Sequence, residues 1–357
     1  MSIIRTYHSI LDRLHQIVGK ERITRLRTMA WLESGILHSR SVHLHRIASK
    51  LPGKAKKLST VRKLERFVDN PHIRVREWYQ PVAAGLLQAA ATAGGPLRLI
   101  IDGSQVGHGH QLLMVSLAYR RRALPLAWTW VRSKRGHSDG HKQCALLAYV
   151  RRLVPTGANV IVVGDSEFSP LQALLESWQW GYALRQKGSH LYRLTPEAAW
   201  QRCDALLTGP GQSAWLPNIQ LTQQHAHPCH LFALWQPGET DPWLIATNLP
   251  TAHLTKRHYS RRMWTEEMFG DFKAHGFDLA ASRLQHFLHL SRLTLAVALL
   301  YVTLVAYGSQ TIKHGLRHLV DRHERRDLSI FRIGFDMLDR MLANSLPFSI
   351  RFLPYFT

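Results

Sequence analysis

Between Leu97 and Gly188 the sequence alternates apolar runs and amphipathic stretches in an order that constrains the fold more than any other feature. LRLIID (Leu97–Asp102), LLMVSLAYR (Leu112–Arg120) and ALPLAWTWV (Ala123–Val131) are short and apolar, and read as three consecutive strands. A tight basic turn splits the last two. DGHKQCALLAYVRRLV then reads as a helix to Val154 and ANVIVVGD (Ala158–Asp165) as a buried strand. SPLQALLESWQW (Ser169–Trp180) reads as a helix and GYALRQKG (Gly181–Gly188) as a further strand. The resulting order, β-β-β-α-β-α-β, places the chain in the α/β class.

Two of these strands end in an acid. Asp102 closes IID before Gly-Ser-Gln, and Asp165 closes VVGD before Ser-Glu-Phe. An acid at the C-terminal end of a buried strand sits at the rim of the sheet and can face a ligand. The chain is poor in acid, with 24 Asp plus Glu against 46 Lys plus Arg, so both placements are candidates for chemistry. The structural alternative is a turn or helix N-cap aspartate, for which Asp165 before Ser-Glu-Phe-Ser-Pro is suited.

The net charge of +22 and the pI of about 10.5 point to a polyanionic partner, nucleic acid first. The basic residues are spread along the chain and form no amphipathic membrane arm. The most apolar stretch, LTLAVALLYVTLVAY (Leu293–Tyr307), is too short for a membrane span and reads as a buried helix. Three widely spaced cysteines give no disulfide framework, and MSIIRTYHSI lacks a signal-peptide pattern, which fits a reducing cytoplasm.

At 357 residues the chain divides into five regions. Residues 1–93 read as mostly helical. Residues 94–189 form the first part of the α/β core, and 190–252 a β-rich insertion containing HLFALW and PWLIATNL. Residues 253–308 return to the core as helix, and 309–357 are a helical C-terminal region. In the first region, KAKKLSTVRKLERFV reads as a helix with Ser59 or Thr60 as N-cap and Val61, Leu64, Phe67 and Val68 on its inner face. Arg62, Lys63 and Arg66 then lie on a basic face, suited to DNA or simply to solvent.

YSRRMWTEEMFGDFK (Tyr259–Lys273) sets two adjacent carboxylates, Glu266 and Glu267, among cations. Successive helical residues are about 100° apart, so Arg262, Glu266 and Lys273 fall within about 40° of one another. Glu267 lies on another flank, nearer Asp271. A surface Arg–Glu pair at i, i+4 would explain Arg262 with Glu266, but not Tyr259 and Lys273 at their spacings.

The pattern Y-x2-R-x3-E-x6-K, met by Tyr259, Arg262, Glu266 and Lys273, resembles the signature of the insertion-sequence-four group of bacterial DDE transposases. IIDGS resembles the group's first catalytic-Asp strand and GDSEF its second, with Ser166-Glu167 in place of the usual Arg-Gly. WLIATNLP is similar to the strand before the signature helix, and HGFDLAASRLQHFLHLSRL to the segment after that helix. The helical N-terminus up to RVREWYQPV also resembles the group, so the resemblance covers nearly the whole chain.

That resemblance implies a ribonuclease-H-like catalytic core and a cut-and-paste transposase. It would nick DNA at terminal inverted repeats, with a hairpin intermediate in many relatives, and then join the ends to target DNA. Asp102, Asp165 and Glu266 would be the catalytic acids and the ligands of two Mg²⁺ or Mn²⁺ ions, as suits hard oxygen donors. Arg262, Lys273 and Tyr259 would contact phosphates. Trp243, with Trp235 as second choice, would stack on a flipped base, unless Trp243 is core. The partners implied are double-stranded DNA and a second copy of the chain in a homodimer, on the bacterial nucleoid in the cytoplasm. Phe331–Leu342 is a candidate dimer contact or a helix packed on the core. A DNA-binding relative without activity and a non-transposing ribonuclease-H-like nuclease are the alternatives.

Arg185 and Lys187, on a strand close to Asp165, read as DNA-backbone contacts or as charges protecting a sheet edge. Glu167 is a possible extra ligand. HAHPCH (His225–His230) matches no common structural zinc spacing. His137 and His141 lie in a loop where they could approach DNA, though a turn role suits them too.

Overall fold

The computed structural model describes residues 2–107, 109–132, 138–349, 351 and 353–356. Five helices come first: α1 (Ser2–Val18), α2 (Ile23–Ser39), α3 (Leu44–Ala48), α4 (Lys57–Asp69) and α5 (Val75–Thr92). Helix α4 starts after Lys56, so Ser59 and Thr60 lie inside its first turn and neither is the N-cap expected from sequence. Its buried face carries Val61, Leu64, Phe67 and Val68, at the expected spacing.

The three apolar runs are strands β1 (Leu97–Val106), β2 (His110–Tyr119) and β3 (Arg122–Arg132). Helix α6 (Gly140–Arg151) follows, with Asp139 accepting the His141 backbone N–H as its N-cap. Then come β4 (Val160–Gly164), a 3₁₀ turn (Ser166–Leu171), α7 (Gln172–Ser177) and β5 (Gly181–Arg185). Strand β1 pairs antiparallel with β2 and parallel with β4, and β4 pairs parallel with β5. Pro125 cannot donate to a ladder. It lies on edge strand β3 where the β2–β3 register shifts, and its carbonyl accepts from the Tyr79 hydroxyl.

The strands after residue 190 are β6 (Leu191–Arg193), β7 (Gln201–Arg202), β8 (Ser213–Leu221), β9 (His227–Leu234) and β10 (Trp243–Thr247). They continue the same sheet: β10 adds antiparallel to β5, giving ten strands in the order β3-β2-β1-β4-β5-β10-β9-β8-β6-β7. Strand β5 is therefore paired on both sides. Edge protection does not account for Arg185, because this strand has no free edge.

The remaining chain is helical: α8 (Ala252–Tyr259), a 3₁₀ step (Ser260–Arg262), α9 (Met263–Phe272), α10 (Phe287–Lys313) and α11 (Ile330–Ala343). By length and composition α10 could cross a membrane, but it is mostly buried inside the protein. The 15-residue apolar run is the middle of this 27-residue helix. Its hydroxyls Thr294, Thr303 and Thr311 donate to carbonyls four residues back, so none of these buried O–H groups is left over.

Helices α2, α4, α5 and α11 and strand β3 pack against α10. Trp130 on β3 donates to Thr294, and Arg292 donates to the carbonyls of Val68 and Ile73. From α1, Arg13 reaches the Leu299 carbonyl while ion-paired to buried Glu33 at 2.6 Å. The N-terminal helices thus share one apolar core with the sheet.

Helix α11 crosses α10 at two facing glycines. A Cβ on Gly334 would run into the Leu304 carbonyl and the Gly308 amide, and one on Gly308 into the Ile330 carbonyl. Ile330, Phe331, Phe335, Met337 and Leu338 are buried there. The apolar face of Phe331–Leu342, a candidate dimer contact from sequence, is therefore spent on the core.

Because the atoms in the way are backbone, Gly334→Ala should cost about 1–3 kcal/mol or more in urea denaturation. A neutral substitution would mean the two helices stand farther apart than the structure places them.

Candidate active site

Strand β1 runs on to Val106, so Asp102 lies inside it and does not end it as expected from sequence. Register still brings Asp102 beside Asp165, where the β1–β4 ladder stops. Ile101 on β1 pairs with Gly164 on β4 in parallel, so Asp102 and Asp165, each the next residue, stand side by side at the C-terminal edge. The Gly103 backbone N–H donates to Asp102 Oδ1 at 2.8 Å. Asp165 precedes the 3₁₀ turn, yet its side chain caps nothing, and its Oδ1 is buried without a hydrogen bond. That separates the two sequence interpretations of Asp165: it is not a capping residue. A buried carboxylate oxygen without a donor is a costly arrangement unless a ligand completes it.

Glu266 arrives from α9, and Arg262 joins it to the strands. The Arg262 guanidinium is 9% exposed and donates to Asp102 Oδ2 at 3.2 Å and to Glu266 Oε1 at 3.0 Å. Burial pushes the Asp102 carboxyl up to about 7. Arg262 and the Gly103 N–H pull it down, while Asp165 and Glu266 push it further up. Burial works against the charged form of Arg262, but Tyr259, Asp102, Asp165 and Glu266 together hold it above the ordinary arginine range. The three acids therefore share one electrostatic neighbourhood around one guanidinium.

The 3₁₀ step at Ser260–Arg262 breaks the continuous helix expected over Tyr259–Lys273, and Lys273 lies just past the end of α9. Lys273 nevertheless turns to the same side and donates to Ser104 Oγ on β1 at 2.7 Å. Burial lowers its ammonium below the usual lysine range. Glu267 faces the other flank. Arg122 at the start of β3 binds it at 2.9 Å and Asp271 at 2.8 Å. Burial raises Asp271 to about 7 against the pull of Arg122. Glu267 and Asp271 together thus anchor one arginine.

Other expected site residues fall in varied places. Tyr259 is 2% exposed and packs edge-on against Trp243, ring centroids 5.0 Å apart. Burial raises its hydroxyl to about 12, with Arg262 opposing and Asp165 adding. So placed, the Tyr259 hydroxyl is buried beside Arg262 and Asp165 and faces no open surface in the DNA-free chain. Trp243 is half-buried at the start of β10, beside the site and partly in the core. Arg185 donates to the Pro242 carbonyl and lies in the field of Tyr259, whereas exposed Lys187 follows the strand in a turn. Arg62, Lys63 and Arg66 are exposed on α4, whose other face packs on α2, α3 and α10, and no contact joins them to the carboxylates.

Glu167 accepts the Ser138 backbone N–H at 3.2 Å and lies against Gly103, at the rim of the site. His137 lies outside the described residues, and His141 is exposed at the start of α6. In HAHPCH, His227 meets Glu176 at 3.2 Å and His230 Nδ1 accepts the Asn218 N–H. Sequence reasoning missed Ser104, Arg122 and Arg98. Arg98 Nε donates to His258 Nδ1 beside Arg257 and Arg261, which extends the basic surface along α8. Only three-dimensional pairing gives these residues away.

The donor set at Asp102, Asp165 and Glu266 is all carboxylate oxygen, of a kind that suits a hard divalent cation. Among the described residues no three His, Cys, Asp or Glu side chains stand close enough to hold one metal ion, and the Arg262 guanidinium bridges Asp102 and Glu266.

No family model and no curated protein sequence matches the chain. Among solved structures, a cryo-EM structure of the piggyBac transposase synaptic complex with hairpin DNA is similar. The TM-score is 0.43 and the identity 11%, over 96% of this chain and 83% of that one. An overlap this loose assigns neither fold nor function.

The geometry separates the two glutamates by what each supports. Arg122→Met would strand buried Asp271 and should cost about 3–5 kcal/mol in urea denaturation. Glu266→Gln loosens a half-exposed carboxylate while Arg262 keeps its bond to Asp102, and should cost about 1 kcal/mol or less. Comparable losses would mean that Glu266 is a structural residue.

Proposed function

We propose that the chain is a DDE transposase whose catalytic acids are Asp102, Asp165 and Glu266. The observation that carries this is the parallel register of β1 and β4, which sets two aspartates side by side where that ladder ends, with Glu266 reaching Asp102 through Arg262. The strand order β3-β2-β1-β4-β5, with β2 antiparallel to β1 and the β1, β4 and β5 strands parallel, supports reading the core as ribonuclease-H-like. The signature residues of the sequence support the transposase assignment over other enzymes of that kind.

Mg²⁺ or Mn²⁺ ions would be held by oxygens of Asp102, Asp165 and Glu266. The unpartnered Asp165 Oδ1 and the all-oxygen donor set fit that role. Bound there, the ions would activate an attacking oxygen and stabilise the leaving one. The protein's own part is orientation and charge. Arg262 holds Asp102 and Glu266 at one place, and it and Lys273 would meet a phosphate flanking the scissile bond. The Arg98, Arg257 and Arg261 cluster and Arg185 extend positive charge along the approach for duplex DNA. Trp243, half-buried beside Tyr259, would stack on an unpaired base. Cutting both ends of an element calls for two copies of the chain, joined by a surface other than the buried face of α11.

The test is cleavage of duplex DNA carrying the element's ends in Mg²⁺. Asp102→Asn, Asp165→Asn and Glu266→Gln should each lose more activity than the roughly 10–100-fold typical of an outer-shell partner, while still binding duplex. Glu267→Gln should keep substantial activity. Wild-type binding without cleavage would leave a DNA-binding relative, and preferential cleavage of an RNA–DNA hybrid would leave a nuclease. Mg²⁺ or Mn²⁺ should also raise the Tm of the wild type more than that of Asp165→Asn.

A further inference from the structure

Beside the far flank of α9, away from Arg262, lies an open cleft of about 820 Å³. Arg120, Arg121, Arg122, Arg326, Trp264 and Glu267 line it, with Asp327 at its edge. Its acids are already engaged. Glu267 is held by Arg122, and Asp327 by Arg322 and Arg325. Arg121 and Arg326 make no ion pair among the described residues. Partial burial, and then the charges of Arg121 and Arg122, press the Arg326 guanidinium below its usual range, with Asp321 opposing and Arg120 adding to the repulsion. Like charges crowded in this way favour an anion between them. Trp264 adds a ring face, with the Arg261 guanidinium 5.5 Å from its centroid.

The backbone supplies an independent observation. Arg120 and Arg121 are the two-residue loop of the β2–β3 hairpin, because Tyr119 pairs directly with Arg122. Their φ angles are 44° and 65°, both positive. A hairpin loop with φ positive at both positions is the type I′ turn, where Asn-Gly is favoured and a long side chain is strained. Arginine at both positions works against the local fold. Strain of this kind, held by well-paired strands on either side, points to a binding role.

We propose that Arg120, Arg121 and Arg326 form a phosphate-binding subsite for duplex DNA, on the opposite flank of α9 from the carboxylates. This rests on the transposase reading and extends it. Helix α9 would lie between two backbone contacts, one at Arg262 and Lys273 and one at this cleft. The contacts position the duplex and read no base sequence.

The test exchanges the turn for its preferred residues, Arg120→Asn with Arg121→Gly, in the full chain. Removing the strain should leave Tm unchanged or higher, so loss of folding does not confound the result. Binding of an arbitrary-sequence duplex is then measured across a salt series without metal. Two lost phosphate contacts should make the log–log salt slope shallower by roughly 2 and weaken binding about tenfold or more near physiological salt. Adding Arg326→Gln should flatten the slope further.

A control variant, Lys20→Gln with Arg27→Gln, removes two exposed charges from the α1–α2 turn and from α2. Equal weakening by that control, or an unchanged slope in the turn variant, overturns the subsite while leaving the transposase assignment standing. A wild type that does not bind duplex DNA overturns both.

Discussion

The guanidinium of Arg262 joins two parts of the chain that lie 160 residues apart. Asp102 is buried within central strand β1, Asp165 is its neighbour in register, and Glu266 comes from a helix reached only after the whole sheet is built. Three carboxylates cannot share such a place without a cation. Arg262 supplies one from within the fold, and in doing so fixes where α9 meets the sheet. Lys273 makes a second attachment through Ser104, and Arg122 a third through Glu267 and Asp271. Beneath these, Met268, Phe269 and Phe272 fill the core. The apolar residues hold the helix down, and the three charged attachments determine which of its faces looks at Asp102.

This arrangement explains why adjacent glutamates have separate tasks. A step of one residue turns the helix by about 100°, so Glu266 and Glu267 address different strands. Glu266 shares its arginine with Asp102 on β1. Glu267 shares Arg122, on β3, with Asp271. In the first, only Glu266 is adjustable: about half of its side chain is exposed, while Asp102 and Arg262 are buried. The second includes a buried carboxyl and is structural. In the transposase reading, that division leaves one acid able to move onto a metal while the other keeps the helix in place.

The core was legible where local pattern determines structure. Strands β1 to β5 arise from the apolar runs, although β1 runs four residues past Asp102, and of the two acids read as strand ends only Asp165 follows one. Features decided by long-range pairing were not legible. PWLIATNL read as a strand, but nothing in its sequence says that it would add to β5 and draw residues 190–250 into the same sheet. The 3₁₀ step at Ser260–Arg262 contains no proline or glycine to announce it. Tyr259 is polar at one end and apolar over its body, so its sequence context allows either an exposed hydroxyl or a ring buried on Trp243. FRIGFDMLDRML is amphipathic whichever surface covers it. Gly308 lies 26 positions from Gly334, and only their opposition shows that α10 is the covering surface. The roles of Arg122 and the β2–β3 turn were hidden for another reason: a basic hairpin loop looks like solvent-exposed charge until its backbone angles are known.

Charge distribution, more than charge total, carries the functional argument. A surplus of +22 spread evenly would mean little beyond solubility. Here many of the scarce acids are committed to internal pairs: Glu33 to Arg13, Asp271 and Glu267 to Arg122, Asp327 to Arg322 and Arg325. Those commitments leave cations in excess on both flanks of α9, around Arg98, Arg257 and Arg261 on one side and around Arg121 and Arg326 on the other. The strained arginines of the β2–β3 loop lie at that second place, where a neutral Asn-Gly would fold more easily. A phosphate backbone passing along α9 would supply the negative charge that the protein itself withholds from both flanks, next to the two acids that Arg262 bridges and the Asp165 beside them.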